Sequence, residues 1–203
     1  MKTFTIALRA TLVTLVLTGL LYPLCMTGLA QAFFPAAASG SLARTDNGEV
    51  VGSRLFGQTF AKPAYFQPRP SAAGNGYDPL SSGGSNFGPT SVKLQERVKA
   101  EIARLQRENP TASSPIPVEL ATASASGLDP HISPAAARWQ LPRVAQARAV
   151  SPDRVAAALE ASIVGRDLGI LGEPTVNVLE LNLALDRQFG APPSPSVRGV
   201  VTN

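Results

Sequence analysis

The only histidine of the chain, His131, stands in the stretch TASASGLDPHISPAAARW at residues 122–139. An imidazole two positions after an acid, Asp129, could move a proton, and the stretch therefore reads as an active site, a ligand loop or a turn that starts a helix. A metal site is disfavoured because no second histidine exists, and the single cysteine, Cys25, lies in an uncharged stretch far upstream. No G-x-S-x-G, H-E-x-x-H or G-x-x-x-x-G-K-[ST] pattern occurs, so a hydrolase or an ATP-cleaving enzyme has no visible engine. We expect no catalytic residue and no metal ligand, with His131 and Asp129 shaping a turn or an interface. Two other stretches carry polar chemistry. Consecutive amides at Ser82, Gly83, Gly84 and Ser85 could cradle an anion or simply make a turn, and they are the candidates for cofactor binding. In KPAYFQPRP and the residues after it, Tyr65, Phe66, Arg69 and Tyr77 suit a protein interface, to which Asp129 and His131 are added.

The elements that must position these residues begin with a membrane candidate. Residues 10–43 contain no charge, and 10–34 as a helix would be about 37 Å long, enough to cross a hydrocarbon core of about 30 Å. Two readings compete. Ala30, Gln31 and Ala32 fit a small-x-small cleavage pattern behind a basic start, yet the apolar run exceeds a signal-peptide core, and Tyr22, Phe33 and Phe34 suit interfacial anchors. We expect the uncleaved anchor. Lys2 and Arg9 then keep residues 1–9 cytoplasmic and put 35–203 outside the cytoplasm. Thr11, Thr14, Thr18, Tyr22 and Cys25 recur at spacings of 3, 4, 4 and 3, which puts them on one face of a regular helix, available to a partner helix. Threonines bonding back to their own helix are the alternative. Pro23 predicts a kink near Gly19.

Removing Lys2 and Arg9 from the 18 basic residues leaves 16 against 14 acidic ones with no basic run, which argues against nucleic acid as a partner. One or two short strands are expected within 49–60, followed by an ordered loop at 62–90. The 91–108 pattern predicts a helix with Leu94, Val98, Ile102 and Leu105 on one stripe and Lys93, Glu96, Arg97 and Glu101 away from it. A short buried strand is expected at 116–121. Ser133 before Pro134 and Ser151 before Pro152 predict two helix starts, and Asn177 with Glu180 a third, with a strand over 176–185 as the alternative there. The expected architecture is α+β: one N-terminal transmembrane helix at 10–34, one extracytoplasmic mixed α/β domain at 35–190, and a flexible tail at 191–203.

The stretches YPLCMTGLAQAFFP, GSRLFGQ, YFQPRPSAAGNGYDP, SGGSNFGPT, TASASGLDPHISPAAA with RVAQAR, and GEPTVNVLELNLALD occur in order from about residue 22 to 186. In these the chain resembles the C subunits of the Kdp potassium-transporting P-type ATPases. The resemblance implies a single-pass accessory subunit of the cell inner membrane, with no cofactor of its own. Its implied partners are membrane lipid, a channel-like potassium-translocating subunit and a P-type subunit that hydrolyses ATP. It further implies a catalytic chaperone that raises the ATP affinity of the P-type subunit, with ATP entering only through the complex. The rival expectation is a secreted or periplasmic enzyme or binding protein released by cleavage after Ala32.

Overall fold

The computed structural model describes residues 2–112 and 115–192, so the expected tail lies almost wholly outside the described residues. The chain divides into two compact units, residues 1–53 and 54–203.

In the first unit, helix runs without a break over Lys2–Phe33, 32 residues that are long and apolar enough to cross a membrane. It comprises α1 (Lys2–Val16), a π-helical turn over Leu17–Leu21, and α2 (Tyr22–Phe33). The wide turn falls where a kink was expected. Pro23 has no N–H to donate and its ring crowds the carbonyl of Gly19, four residues earlier, and a turn closed by i→i+5 bonds relieves both. Thr14 Oγ1 donates to the Ala10 and Thr11 carbonyls at 2.9 and 3.1 Å, and Thr18 Oγ1 donates to the Thr14 carbonyl at 2.7 Å. A π turn winds less per residue than an α turn, so the regular 3.6-residue spacing on which the stripe of Thr11, Thr14, Thr18, Tyr22 and Cys25 was drawn does not hold across Leu17–Leu21. A short α3 (Pro35–Ala38) leads to a hairpin of β1 (Leu42–Arg44) and β2 (Val50–Ser53), antiparallel, with Ala43 opposite Gly52 and a bulge before Arg44 pairs with Val50. Only β2 of this hairpin falls in the stretch where strands were expected.

The second unit holds α4 (Val92–Glu108), α5 (Val118–Ala121), β3 (His131–Ile132), α6 (Pro134–Arg148), α7 (Pro152–Ala161), β4 (Ile163–Val164), β5 (Thr175–Asn177) and α8 (Val178–Phe189). Its sheet has the order β3-β5-β4, antiparallel throughout, with Ile132 and Ile163 both opposite Val176. Phe66, Ile132, Val144, Leu159, Val176 and Leu181 form the buried core between the sheet and the helices.

The three predicted helix starts are present. Ser133 Oγ accepts from the Ala136 N–H at 3.1 Å and Asn177 Oδ1 from the Glu180 N–H at 3.1 Å, satisfying amides that the first turn leaves unpaired. Ser151 opens α7 in an extended conformation without a side-chain bond. The strand considered over 176–185 exists only to Asn177, where β5 hands over to α8. The strand expected at 116–121 is instead α5: Pro117 precedes its first turn, and the turn lets Glu119 accept from both the N–H and the Oγ of Ser133 at 3.0 and 2.5 Å. On α4, Leu105 of the apolar stripe is buried while Leu94, Val98 and Ile102 are half-buried, and Arg97 and Glu101, expected away from that stripe, are half-buried as well.

Candidate functional site

Residues 54–91 contain neither helix nor strand, and their order comes from side chains far away in sequence. Two buried amides act as if they were a neighbouring strand. Asn182 on α8 accepts from the Phe66 N–H and donates to the Phe66 carbonyl, each at 2.9 Å. Gln140 on α6 accepts from the Gln67 N–H at 2.8 Å and donates to the Gln67 carbonyl at 2.9 Å. Arg143 donates to the carbonyls of Pro63 and Tyr65 at 2.6 and 3.1 Å, and Arg148 to that of Ala64 at 2.7 Å. Buried backbone groups must be paired, and these four side chains pair them for a segment that has no sheet to join.

The candidate interface residues fall into two groups. Phe66 belongs to neither surface: its ring is wholly buried in the core, which corrects its expected place at an interface. Tyr65 donates to Asp186 at 2.8 Å beneath the Arg148 guanidinium, 5.0 Å from its ring centre, and Arg148 closes the set with a 2.8 Å bond to Asp186. Burial, and then the bond to Asp186, push the Tyr65 hydroxyl up to about 12.

The second group gathers around the loop 123–131. Asp129 accepts from Arg69 Nη1 at 3.2 Å and, through its other oxygen, from the His131 N–H at 3.0 Å. His131 Nδ1 is 3.8 Å from that second oxygen and its side chain is 43% exposed. Tyr77 donates to the Arg69 carbonyl, and burial raises its hydroxyl above the ordinary tyrosine range. Ser71 Oγ donates to the Gly127 carbonyl at 2.6 Å and accepts from the amides of Ala73 and Tyr77.

The Ser82–Ser85 turn braces the same loop: Ser82 Oγ and the Gly83 N–H both donate to the Ser126 carbonyl, at 3.0 and 2.8 Å. The packing leaves no room for side chains. A Cβ at Gly84 would stand 2.9 Å from the Ala125 carbonyl oxygen, and one at Gly127, where φ is +68°, 2.7 Å from both the Ala73 nitrogen and the Gly83 carbonyl oxygen. With the Gly83 amide so engaged, the anion cradle lacks one of its donors. Among the described residues no three His, Cys, Asp or Glu side chains gather as metal ligands, and Cys25 is a free, exposed thiol on α2.

Arg97, Glu101, Arg104 and Glu108 were missed as a set, although their spacings of 4, 3 and 4 place opposite charges along one helix face. Arg104 donates to Glu101 at 2.5 Å and to Glu108 at 2.6 Å, and these bonds raise its pKa further. Beside them Arg143 is buried and, among the described residues, bonds neutral oxygens alone, so burial lowers its pKa to about 10.

Together these features define a protein with one N-terminal helix fit to cross a membrane and a small α+β unit whose charged side chains are largely engaged in bracing its own loops. The sequence model of one family, described as K+-transporting ATPase, c chain, matches residues 4–187, and the chain belongs to that family. It is 60% identical over 200 residues to the potassium-transporting ATPase KdpC subunit of Myxococcus xanthus, covering 98% of this chain and 95% of that one. The KdpC subunit of Koribacter versatilis is 53% identical over 188 residues, covering 93% and 94%, and that of Caulobacter vibrioides 55% over 174 residues, covering 86% and 87%.

Proposed function

We propose that this chain is the accessory subunit of an ATP-driven potassium-transporting complex, stabilising its assembly and carrying no catalytic centre of its own. The observation that carries the reading is the 60% identity, over nearly the whole of both chains, to a protein named as a potassium-transporting ATPase KdpC subunit. Its partners on this reading are the channel-like potassium-translocating subunit and the P-type ATP-hydrolysing subunit. The membrane helix lies with Lys2 and Arg9 at the cytoplasmic face and the α+β unit on the other side, since basic residues beside a span stay in the cytoplasm.

A chaperone effect on ATP use then has to pass through the membrane segment as a coupling between sites, because the nucleotide lies across the membrane from the α+β unit. The engagement of Ser82 and Gly83 with Ser126 supports treating the Ser-Gly-Gly turn as a brace rather than a nucleotide cradle. His131, with a partly exposed ring beside the Arg69–Asp129 pair, is read as a turn or interface residue.

The test is co-purification and turnover. The tagged chain should carry the ATP-hydrolysing subunit with it, and omitting the chain should lower potassium-stimulated ATPase activity. The purified chain alone should neither hydrolyse ATP nor bind it saturably. A mature protein starting at Phe33 would sink the anchored reading in favour of a released protein.

A further inference from the structure

One groove in the second unit is occupied by none of the contacts described so far. It has a volume of about 450 Å³ and lies between the loop 59–71 and one face of α4, with Phe60, Arg69, Tyr77, Arg97, Glu101 and Arg104 in its wall. A smaller hollow of about 150 Å³ shares Ala61, Gln67 and Glu108 with it and ends on Arg143. The two hollows adjoin at these residues; Arg69, Arg97 and Arg104 line the groove, and Arg143 lines the smaller hollow.

Their pairing is uneven. Arg104 is neutralised by Glu101 and Glu108. Arg69 meets a single oxygen of Asp129 at 3.2 Å, and its buried Nε has no acceptor among the described residues. Among the described residues Arg143 bonds two carbonyls and the Gln140 amide oxygen. Arg97 donates to the Ser71 carbonyl at 3.2 Å and has no ion pair among the described residues. Across the two adjoining hollows four cations thus share three carboxylates, and the charge of Arg97 and of Arg143 is held at neutral oxygens. An arginine in such a place favours a carboxylate over a carbonyl, because a charged acceptor makes the shorter and stronger bond. Phe60 and Tyr77 supply the aromatic surface that accompanies arginine in protein interfaces.

We propose that this groove receives an acidic segment of another subunit of the complex, one carboxylate of which pairs with Arg97 while the segment lies against Phe60 and Tyr77. The occupant is chosen by charge complementarity, and the proposal rests on the accessory-subunit reading above.

The test captures the assembled complex through a tag on another subunit and measures how much of this chain is retained as salt is raised. Arg97→Glu should lower retention about tenfold or more, Arg97→Gln should lower it less and flatten its salt dependence, and Arg97→Lys should keep most of it. The control is Arg138→Glu, which makes the same charge change in the exposed pair with Glu160 and should be retained normally. Melting temperatures of the purified variants identify any fold defect, and Arg97→Gln carries the comparison if Arg97→Glu unfolds.

Equal retention of the folded Arg97 and Arg138 variants would overturn the proposal. So would Arg97-dependent stabilisation of the purified chain by inorganic phosphate with retention unaffected, since the groove would then be a small-anion site. Loss of the unaltered chain from the complex would instead sink the subunit reading, and this one with it.

Discussion

Asn182 and Phe66, 116 positions apart, exchange two hydrogen bonds of 2.9 Å, so that one side-chain amide on α8 satisfies both backbone groups of a residue in a loop. Asn182 is 1% exposed and Phe66 not at all. The Phe66 ring can join the core only because its own amide and carbonyl are paired there, and the loop 59–71 follows the ring.

Asn182→Ala should leave two buried backbone groups without partners, each costing about 1–3 kcal/mol. The full chain in detergent should melt on the order of 10 °C lower, whereas Arg138→Ala, which breaks an exposed ion pair, should shift it by no more than a few degrees. A small shift for Asn182→Ala would mean that water replaces the amide and that the loop is not held by it.

Gly127→Ala should destabilise the chain by about 1–3 kcal/mol, because the position needs a left-handed backbone and a Cβ would press on backbone atoms of Ala73 and Gly83. Gly88→Ala, in open space, is the control. Thermal unfolding that does not separate the two would show that the Ser82–Ser85 turn is not a brace for the loop 123–131.

Tyr65 gives an alkaline signature. Its folded pKa, near 12, lies above the ordinary value of 10, so between those limits the folded chain holds a proton that the unfolded chain releases. Stability is therefore present in full below pH 10 and falls as pH rises from 10 through 12. Tyr77 is shifted in the same direction by burial and adds to the fall. Unfolding midpoints measured across this window should decline less steeply in Tyr65→Phe, and tyrosinate absorbance of the folded protein should appear late. A decline identical in the two proteins would remove Tyr65 as the cause.

Thr14→Val with Thr18→Val should leave retention of the chain in the complex within about a few-fold, since both hydroxyls already bond their own helix and membrane hydrogen bonds average about 0.6 kcal/mol. Thr14→Trp with Thr18→Trp should weaken retention by about tenfold or more if that face meets another helix, through overpacking. The comparison is Val16→Trp with Leu20→Trp, on the other side of the helix. Equal retention of the two tryptophan pairs would mean that the threonine face lies in lipid.

The features legible in the sequence were those encoded within a few residues of one another. The Ser133-Pro134 start and the Asn177–Glu180 cap each rest on contacts inside one helix or its first turn and are where the pattern put them, and the apolar run lies in a helix that begins at Lys2, ahead of the expected 10–34. The strand expected at 116–121 failed because a short apolar run has no period long enough to tell strand from helical turn, and the choice was made by the reach of Glu119 to Ser133. The membrane stripe was drawn on regular helix spacing, whereas the turn before Pro23 is π-helical, a local change of winding that residue spacing does not encode.

The sequence by itself determined the apolar helix, the helix starts and, through its long matching stretches, the family. Only the tertiary structure decided what the polar residues do. Arg97 and Glu101 read as solvent-facing because the α4 pattern cannot show that the loop 59–71 lies over them, and Phe66 read as an interface residue because its neighbours do. The path of that loop is set by Gln140, Arg143, Arg148 and Asn182, 73 to 116 positions away. Bonds from distant side chains to backbone leave no periodicity in a sequence, whereas a helix start is complete within four residues.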